Sequence, residues 1–448
     1  MLYFCTIKVN ENARCVSLSY FSKPQLSCVR PFSTRPSARE SYGSGRWACT
    51  SRAIHTDPQG RLLQRLGPAA KTLLLGPPRA SSPPRTSMGA TLETPSQDNS
   101  DLDCGQLRCG NGGSMSEITS SRICVLFPGA LGDFICFLPA LEVLARRSQA
   151  DLFARIEFAG LAPPQVKVRS LECFEVSRLF APGTTSDERL RDFFGSYTGI
   201  YSWMGSREKE FVNQLANVSG GRARVYPFRA DERKLHQADY YLSCLNEPLE
   251  TSRPPTVVLQ SDAVAWSNSY WAKRSLEGKA VLSLAPGSGA REKNWPVAFY
   301  SRIADWWRHR TRGAVVVLMG PVEGERGGFE LLLNRSTVAS SFTLERVAAL
   351  LARSDLYLGN DSGITHLAAA VGVRTVAMFG PSDVHQWAPR GARVTILSRR
   401  VDCSPCEISV MKGCPHRRCL TEFYPEEVID ELEKLPEVAT LTRGGSGI

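Results

Sequence analysis

A strand, a tight polar loop, a short helix and a second strand are predicted by the sequence Asp355-Leu-Tyr-Leu-Gly-Asn-Asp-Ser-Gly-Ile-Thr-His-Leu-Ala-Ala-Ala-Val-Gly-Val-Arg-Thr-Val-Ala-Met-Phe-Gly-Pro381. Leu356–Leu358 is an apolar run with the length of a buried strand. The polar cluster Asn360–Gly363 favours a turn and offers a helix N-cap, and the Ala-rich run after it is closed by Gly372, a residue typical of helix ends. A helix that begins in a Ser/Gly loop after a parallel strand presents free N–H groups and a partial positive charge. We therefore predict that an α/β sheet binds a phosphate group here.

Strands and helices alternate from Ser121 onward, which predicts parallel sheets with helices on both faces. The expected strands are Ile123–Phe127, Ala154–Ala159, Ala280–Ala285, Ala314–Met319 and Thr375–Phe379. The expected helices are Pro139–Arg147, His236–Leu245, Pro296–Arg310, Thr343–Arg353 and Ile364–Val371. Loops are expected at Gly195–Gly205 and Val218–Pro227.

The alternating pattern breaks between Arg253 and Gly278, where two prolines and a polar run interrupt it. We therefore predict two doubly wound, Rossmann-like domains, one at residues 119–260 and one at residues 279–435. Two such domains that face each other leave a cleft lined by loops at strand ends, which is where this architecture binds ligands.

Residues 1–114 differ from the rest of the chain in composition. They are rich in Ser, Arg, Pro and Gly and lack sustained apolar periodicity, so we expect a disordered extension. It is either a targeting segment, since it resembles an organelle transit peptide, or the product of a mis-called gene start ahead of Met115. The net charge of +10 belongs to residues 1–90, which hold 13 Lys and Arg against 3 Asp and Glu, whereas residues 91–448 hold 41 of each sign. The charge therefore gives no reason to expect a nucleic-acid partner.

The chain shows no export signal, and its one long apolar stretch, Ile123–Ala145, does not fit a membrane span. That stretch contains two Gly, two Pro and a central Asp133, which alone costs about 3 kcal/mol at the bilayer centre. Four isolated cysteines fall in apolar or mixed segments, so we expect buried thiols of a reducing compartment. They are Cys124, Cys136, Cys173 and Cys244. These features favour a cytoplasmic protein.

Three loops share one position in the pattern, since each follows a strand and precedes a helix. The first is Pro128–Asp133, in which glycines let the backbone approach a ligand closely. Asp133 is either a catalytic carboxylate or a carboxylate that stabilises the helix start, an effect of about 0.5–2 kcal/mol. The loop lacks the order G-x-G-x-x-G, and no acidic residue ends the next strand, so a nicotinamide site is not indicated.

The second loop, Ala285–Pro296, is a candidate diphosphate site. Two glycines open its backbone, Ser288 adds a hydroxyl, and Arg291 and Lys293 add positive charge. The loop lacks the Gly-Lys-Ser/Thr order of a P-loop, and an ordinary solvated loop remains the alternative.

The third loop is Asn360–Gly363 itself. Ser362 and Gly363 offer N–H and hydroxyl groups to a phosphate. His366 lies one turn into the helix, so it either faces the same anion or is a buried core residue.

Motifs from these loops together resemble those of glycosyltransferase family 9, the ADP-heptose:lipopolysaccharide heptosyltransferases. They are Leu131–Leu141, Pro286–Pro296, Asn360–Ala368, and Phe379–Pro381 with Trp387–Pro389. Each motif alone is modest, but four in the family's order and spacing are specific. The resemblance covers residues from about 121 to 435 and leaves out the N-terminal extension.

The resemblance implies the GT-B fold, with the acceptor on the N-terminal domain and the nucleotide sugar on the C-terminal one. It also implies inverting, metal-independent transfer, in which Asp133 is the general base and Lys293 contacts the diphosphate. The positions that match donor-binding residues are Gly132, Ser288, Lys293, Met319, Glu325, Asp361, Ser362, Gly363 and His366. The family places the adenine near Met319, the ribose near Glu325 and the sugar hydroxyls near Asp361.

The implied partners are ADP-heptose and a lipid-linked acceptor, the lipopolysaccharide core, which places the protein in the cytoplasm with peripheral contact to the inner membrane. Trp203, Arg207 and Lys209 lie in an irregular part of the N-terminal domain. Either the basic side chains meet lipid A phosphates there, or all three residues lie in an exposed loop. Two alternatives stay open: a family 9 transferase with another sugar or a protein acceptor, and a non-catalytic nucleotide-sugar-binding protein. The presence of both Asp133 and Lys293 favours catalysis.

Four cysteines cluster near the C-terminus as Cys403-x2-Cys406-x7-Cys414-x4-Cys419. Tetrahedral thiolate zinc or iron fits this spacing roughly, and His416 is a substitute ligand. Free or redox-active thiols are the alternative, and the resemblance does not decide between them. A metal held here would be structural, because catalysis in the family requires none.

Overall fold

The structure of the protein is a computed structural model that describes residues 121–181, 187–230, 235–248 and 252–443. The predicted extension at residues 1–114 lies outside the described residues. All of the described residues belong to one structural unit.

The first half of the described chain builds a parallel sheet of five strands in the order β3-β2-β1-β4-β5. Its strands are β1 Arg122–Leu126, β2 Gln149–Ala154, β3 Val166–Ser170, β4 Gly199–Ser202 and β5 Ala223–Val225. Its helices are α1 Leu131–Arg147, α2 Phe174–Arg178, α3 Glu188–Gly195, α4 Lys209–Val218 and α5 Gln237–Ser243. The central strand β1 is buried beyond its first residue, as expected for a strand covered on both faces.

Helix α6 Ser261–Lys273 follows and leads into a second parallel sheet of six described strands, ordered β11-β10-β9-β6-β7-β8. Its strands are β6 Val281–Ala285, β7 Ala314–Met319, β8 Thr337–Ser340, β9 Leu356–Asn360, β10 Thr375–Phe379 and β11 Val394–Ser398. The helices among these strands are α7 Val297–Thr311, α8 Pro321–Arg326, α9 Glu330–Leu333, α10 Leu344–Ala352, α11 Gly363–Ala370 and α12 Val384–Trp387. The last helices are α13 Ile408–Gly413, α14 Arg418–Thr421, α15 Pro425–Glu433 and α16 Pro436–Arg443.

The predicted fold class is confirmed, because each sheet is parallel and each has the β-α alternation of a Rossmann-like domain. Strand β7 has the expected bounds, and the helix expected at Thr343–Arg353 is α10, with Thr343 as its N-cap. Gly372 follows α11 with φ +81°, the left-handed conformation that favours glycine at a helix end.

The expected start of the first helix at Pro139 is wrong, since α1 begins at Leu131. The Asp133 carboxylate accepts a hydrogen bond from the Ala130 N–H (3.1 Å) and so closes the first turn. Pro139 lies inside the helix, where its missing N–H leaves the Ile135 carbonyl without the usual partner. The general preference for proline at the first position of a helix therefore led to the wrong start for α1.

Several other predicted elements are also wrong in the first half. The strand expected at Ala154–Ala159 ends at Ala154, and a 3₁₀ helix follows it. The two expected loops contain β4 and β5, whose four and three residues are too short for a clear local pattern. Helix α6 lies in the Arg253–Gly278 segment, for which no helix was predicted.

One hydrophobic core extends across both sheets. One cluster of buried apolar side chains includes Phe134 and Leu138 of α1 together with Leu351 of α10 and Leu367 of α11. Linker backbone adds to this connection, because the Val257 N–H donates to the Ala370 carbonyl (3.0 Å). Among the described residues, no helix combines the length and apolar character needed to cross a bilayer.

Candidate functional site

The N-termini of α1 and α11 lie directly against each other. A β-carbon built on Gly363 would lie 2.7 Å from the Leu131 Cβ and 2.9 Å from the Gly132 nitrogen. One built on Gly132 would lie 3.3 Å from the His366 ring. At Gly363 only glycine permits this approach, because an added β-carbon would clash with the start of α1. The approach brings the first and third predicted loops to one place.

Asp133 is almost fully buried in the first turn of α1, with 9% of its surface exposed. Its Oδ2 accepts the Ala130 N–H, and its Oδ1 lies 3.6 Å from the Arg229 guanidinium. Burial raises the pKa of Asp133, while the charge of Arg229 and the Ala130 hydrogen bond act against that rise. A buried carboxylate with one lightly engaged oxygen has the properties of a general base.

Lys293 and Asp361 form an ion pair, with the Lys293 Nζ 2.6 Å from Asp361 Oδ2. Lys293 ends a short 3₁₀ turn in the second loop, and Asp361 follows strand β9. The Asp361 side chain is 7% exposed and that of Lys293 27%. The structure thus brings the second and third loops together. It places Asp361 beside the lysine that the resemblance assigns to the diphosphate.

Asn360, predicted only as part of a turn, connects these two loops. Its Oδ1 accepts hydrogen bonds from the Trp295 N–H (2.8 Å) and the Tyr300 hydroxyl (2.9 Å), and its Nδ2 donates to the Pro286 carbonyl (2.8 Å). Asn360 is fully buried, so these bonds fix both ends of the Lys293 loop to strand β9. Its place in the Asn-Asp-Ser-Gly motif was the available signal.

His366 is buried between α1 and α11, and its Nδ1 lies 3.7 Å from the Cys136 Sγ. Burial lowers the pKa of His366 to about 4, so the ring is neutral at pH 7. His366 therefore has the features of a core histidine, although it lies at the site. Its predicted contact with the donor stays a prediction.

Three other predicted donor residues line the neighbouring loops. The Ser288 hydroxyl lies 2.6 Å from Asn294 Oδ1 and 2.6 Å from the Ala290 carbonyl oxygen, so it orders its own loop. Met319 is half-buried at the end of β7, and Glu325 is exposed on α8.

Glu323 lies beside the second loop. Its Oε2 accepts the Gly320 N–H (3.0 Å), and its carboxylate fills the space beside Gly287 of the second loop. The position of Glu323 could have been predicted from the sequence, because a Glu at the third position of a helix commonly reaches back to the N-cap.

Arg229 was missed as well, and no motif marks it. It precedes α5 in a segment without regular structure, and only its proximity to Asp133 reveals it.

Trp203, expected near an acceptor surface or exposed loop, is fully buried against Phe137 and Tyr241. The exposed-loop interpretation is therefore wrong for Trp203.

The C-terminal cysteines range from exposed Cys403 to buried Cys419. Burial together with the neighbouring thiols Cys406, Cys403 and Cys414 raises the pKa of Cys419 to about 11. The Cys414 Sγ lies 3.7 Å from the His416 Nδ1. Within the described ranges, no group of three or more His, Cys, Asp or Glu side chains is arranged to hold a metal ion.

The four isolated cysteines are free thiols. Cys124 and Cys136 are buried, and Cys173 and Cys244 are half-buried.

The sequence has relatives among curated proteins. The family model for glycosyltransferase family 9 (heptosyltransferase) matches residues 230–414. Lipooligosaccharide heptosyltransferase 2 of Campylobacter jejuni is 26% identical over 170 residues, 35% of this chain and 52% of that protein. Lipopolysaccharide heptosyltransferase 1 of Pseudomonas aeruginosa is 26% identical over 175 residues, 35% of this chain and 48% of that protein. The chain spans about half the length of the curated relatives it matches.

Two solved structures share the fold. The glycosyl transferase family 9 protein of Veillonella parvula DSM 2008 superposes with a TM-score of 0.58 at 21% identity, covering 73% of this chain and 99% of that one. The E. coli ADP-heptose lps heptosyltransferase II gives a TM-score of 0.54 at 17% identity, covering 73% of this chain and 100% of that one. These two likenesses show the two-sheet GT-B fold, and the family model for glycosyltransferase family 9 matches residues 230–414 of this chain.

Proposed function

We propose that the protein is an inverting heptosyltransferase that moves heptose from ADP-heptose to a sugar of the lipopolysaccharide inner core. One observation carries the proposal: the buried Asp133 at the start of α1 lies at the same helix-end contact as the Lys293–Asp361 pair beside α11. A base and a diphosphate-binding cation at one site are what group transfer to a hydroxyl needs.

Asp133 acts as the general base in this proposal. The acceptor oxygen bonds to the anomeric carbon, the bond from that carbon to the β-phosphate oxygen breaks, and its electron pair leaves with ADP. The hydroxyl proton passes to Asp133 Oδ1, because Oδ2 is already occupied by the Ala130 N–H. Positioned proton transfer contributes about 10²–10⁴-fold to a rate.

Lys293 stabilises the departing diphosphate in the same proposal. When the donor binds, the Lys293 ammonium exchanges Asp361 for phosphate oxygens, and Asp361 turns to sugar hydroxyls. The N–H groups at the start of α11 add partial positive charge. These protein groups supply the stabilisation that a metal ion would otherwise provide, so we propose metal-independent transfer.

The test is ADP release by the purified full chain from ADP-heptose with a heptose-free lipopolysaccharide acceptor. Asp133→Asn is expected to lower kcat by about 10²–10⁴-fold with little change in donor affinity. Asp305→Asn, at an exposed position on α7, is the matched control and should retain the wild-type rate.

Three results would contradict parts of the proposal. Asp133→Asn releasing ADP at the wild-type rate would remove the base from the mechanism. Wild type that binds ADP-heptose but never releases ADP would favour the alternative of a nucleotide-sugar-binding protein. Release only with another sugar or a protein acceptor would favour a family 9 transferase of different specificity.

Given a lipid-linked acceptor, we propose a cytoplasmic protein in peripheral contact with the inner membrane.

We further propose that Cys403, Cys406, Cys414 and Cys419 hold a structural zinc or iron ion. The support is their spacing, Cys403-x2-Cys406-x7-Cys414-x4-Cys419, which roughly fits a tetrahedral thiolate site; in the described part of the chain the four side chains are not arranged around an ion, so binding requires them to move together. Metal analysis should find about one ion per chain, lost on Cys406→Ser and retained on Cys173→Ser. Metal-free protein with four reactive thiols would favour the free-thiol alternative.

A further inference from the structure

A loop of the second sheet contacts helix α5 of the first half of the chain. This is Trp387–Arg390, which we call the Trp387 loop; it begins at the last residue of α12. Arg390 forms a two-bond ion pair with Asp239, from Nη1 to Oδ1 (2.6 Å) and from Nη2 to Oδ2 (2.5 Å). His236, the N-cap of α5, donates from Nε2 to the Ala388 carbonyl (2.8 Å) and accepts the Ala238 N–H at Nδ1 (3.1 Å). Burial lowers the pKa of His236, which favours this neutral tautomer.

The Trp387 ring in this loop lies against Arg229. The Arg229 Cζ is 4.8 Å from the Trp387 ring centroid and 5.5 Å from that of Phe228. Such a distance is that of a cation–π contact. The same guanidinium lies 3.6 Å from Asp133 Oδ1. A continuous series of contacts therefore leads from the Asp239–Arg390 pair to the carboxylate that we assign as the base.

We infer that Arg229 and Trp387 are positioning residues for Asp133. The Trp387 ring holds the Arg229 guanidinium near the carboxylate, which keeps Asp133 ionised and oriented. A separation of 3.6 Å is an ion pair without a hydrogen bond, so Oδ1 keeps a lone pair for the acceptor proton. The inference rests on the proposed function, and it makes the base depend on a loop of the domain that we expect to bind the donor.

Other charges near Asp133 do not replace Arg229. Lys293 also lowers the pKa of Asp133, but less than Arg229 does, and Asp361 acts in the opposite direction. Cys136 and Tyr241 lie near Asp133 with raised pKa values, and the pKa of His366 is about 4. These three groups are therefore uncharged at pH 7. Removing Arg229 should raise the pKa of Asp133 and move the acidic limb of the kcat/KM profile to higher pH.

The experiment follows the Asp133 carboxyl directly by ¹³C NMR of the full chain labelled at aspartate, with Asp133→Asn to assign the signal. Arg229→Gln should move the Asp133 titration to higher pH, and Trp387→Leu should move it in the same direction by less. The double variant should match Arg229→Gln alone, because Trp387 acts through Arg229. Trp387→Phe keeps an aromatic ring and should restore most of the wild-type titration.

A kinetic readout accompanies the titration. Trp387→Leu should lower kcat/KM by about two- to fivefold near pH 6 and less near pH 8. Trp266→Leu is the matched control, because Trp266 forms a similar contact with Arg346 (5.0 Å) in another part of the chain. It should leave both the Asp133 titration and the pH profile unchanged.

The outcomes separate this inference from the proposed function, because the NMR titration needs no substrate. An Asp133 titration that is the same in wild type, Arg229→Gln and Trp387→Leu would overturn the inference. A titration that moves as expected in a protein that transfers no sugar would overturn the proposed function alone.

Discussion

At the scale of single residues, His366 makes stability depend on pH. Its pKa in the folded chain is about 4, against an ordinary value of 6.5, because the ring is buried. Between these two values the unfolded chain binds a proton that the folded chain does not. Stability is therefore expected to fall as pH falls from about 6.5 to about 4, and this contribution is constant at lower pH.

Urea unfolding at several pH values checks this expectation. The fall in unfolding free energy between pH 7 and pH 5 should be smaller in His366→Gln than in wild type. His309→Gln, at an exposed position on α7, serves as the control and should follow the wild-type slope. An unchanged slope in His366→Gln would contradict the assignment of a neutral, buried ring.

Residues of the site differ in how well the sequence revealed them. Asp133, Lys293 and Asp361 stand in loops with a recognisable composition, so their types and spacing made them candidates. Arg229 lies 96 positions from Asp133 along the chain and stands in no pattern. Its contact with Asp133 exists only because the fold brings the two segments together.

At the scale of secondary-structure elements, the contact between α1 and α11 depends on Gly363. Gly363→Ala would place a methyl group 2.7 Å from the Leu131 Cβ and 2.9 Å from the Gly132 nitrogen. Because backbone cannot move aside cheaply, we expect a loss of about 1–3 kcal/mol in stability. Donor binding should weaken too, since the two helix starts would separate.

Denaturant unfolding and a donor-binding titration measure these two effects. Gly195→Ala is the matched control, because no atom lies within 4 Å of the added β-carbon at the exposed end of α3. Equal stability of Gly363→Ala and Gly195→Ala would show that the helix starts are not in close contact.

Elements of the second sheet were predicted better than those of the first, and the reason is physical. Strands β7 and β10 are largely apolar stretches of six and five residues, and β9 begins with the apolar run Leu356–Leu358. Burial on both faces makes such runs conspicuous. Strands β4 and β5 are shorter and only partly buried. Their identity as strands comes from pairing with neighbours in the sheet, which local sequence does not show.

At the scale of the whole molecule, the buried cluster shared by Phe134, Leu138, Leu351 and Leu367 joins the two sheets. Neither half can lose its packing without exposing part of the other half's core. We therefore expect the described part of the chain to unfold in one cooperative transition, with a calorimetric to van't Hoff enthalpy ratio of about one.

Differential scanning calorimetry measures this ratio directly. Leu367→Ala removes volume from the shared cluster and should lower the temperature of the single transition without splitting it. Two resolved transitions in the wild type would contradict a shared core and would favour two independently stable domains.

For the donor that we propose, the Lys293–Asp361 pair has a consequence at the stage of approach from solution. Since Asp361 already neutralises the ammonium, an incoming dianion meets little uncompensated positive charge there, and long-range steering contributes little to the association rate. Ionic strength should therefore have a shallow effect on donor capture, because screening acts on charges that are not already paired. We therefore expect slower association at this lysine than at an unpaired cation. The position of the ammonium, however, is fixed before the ligand arrives.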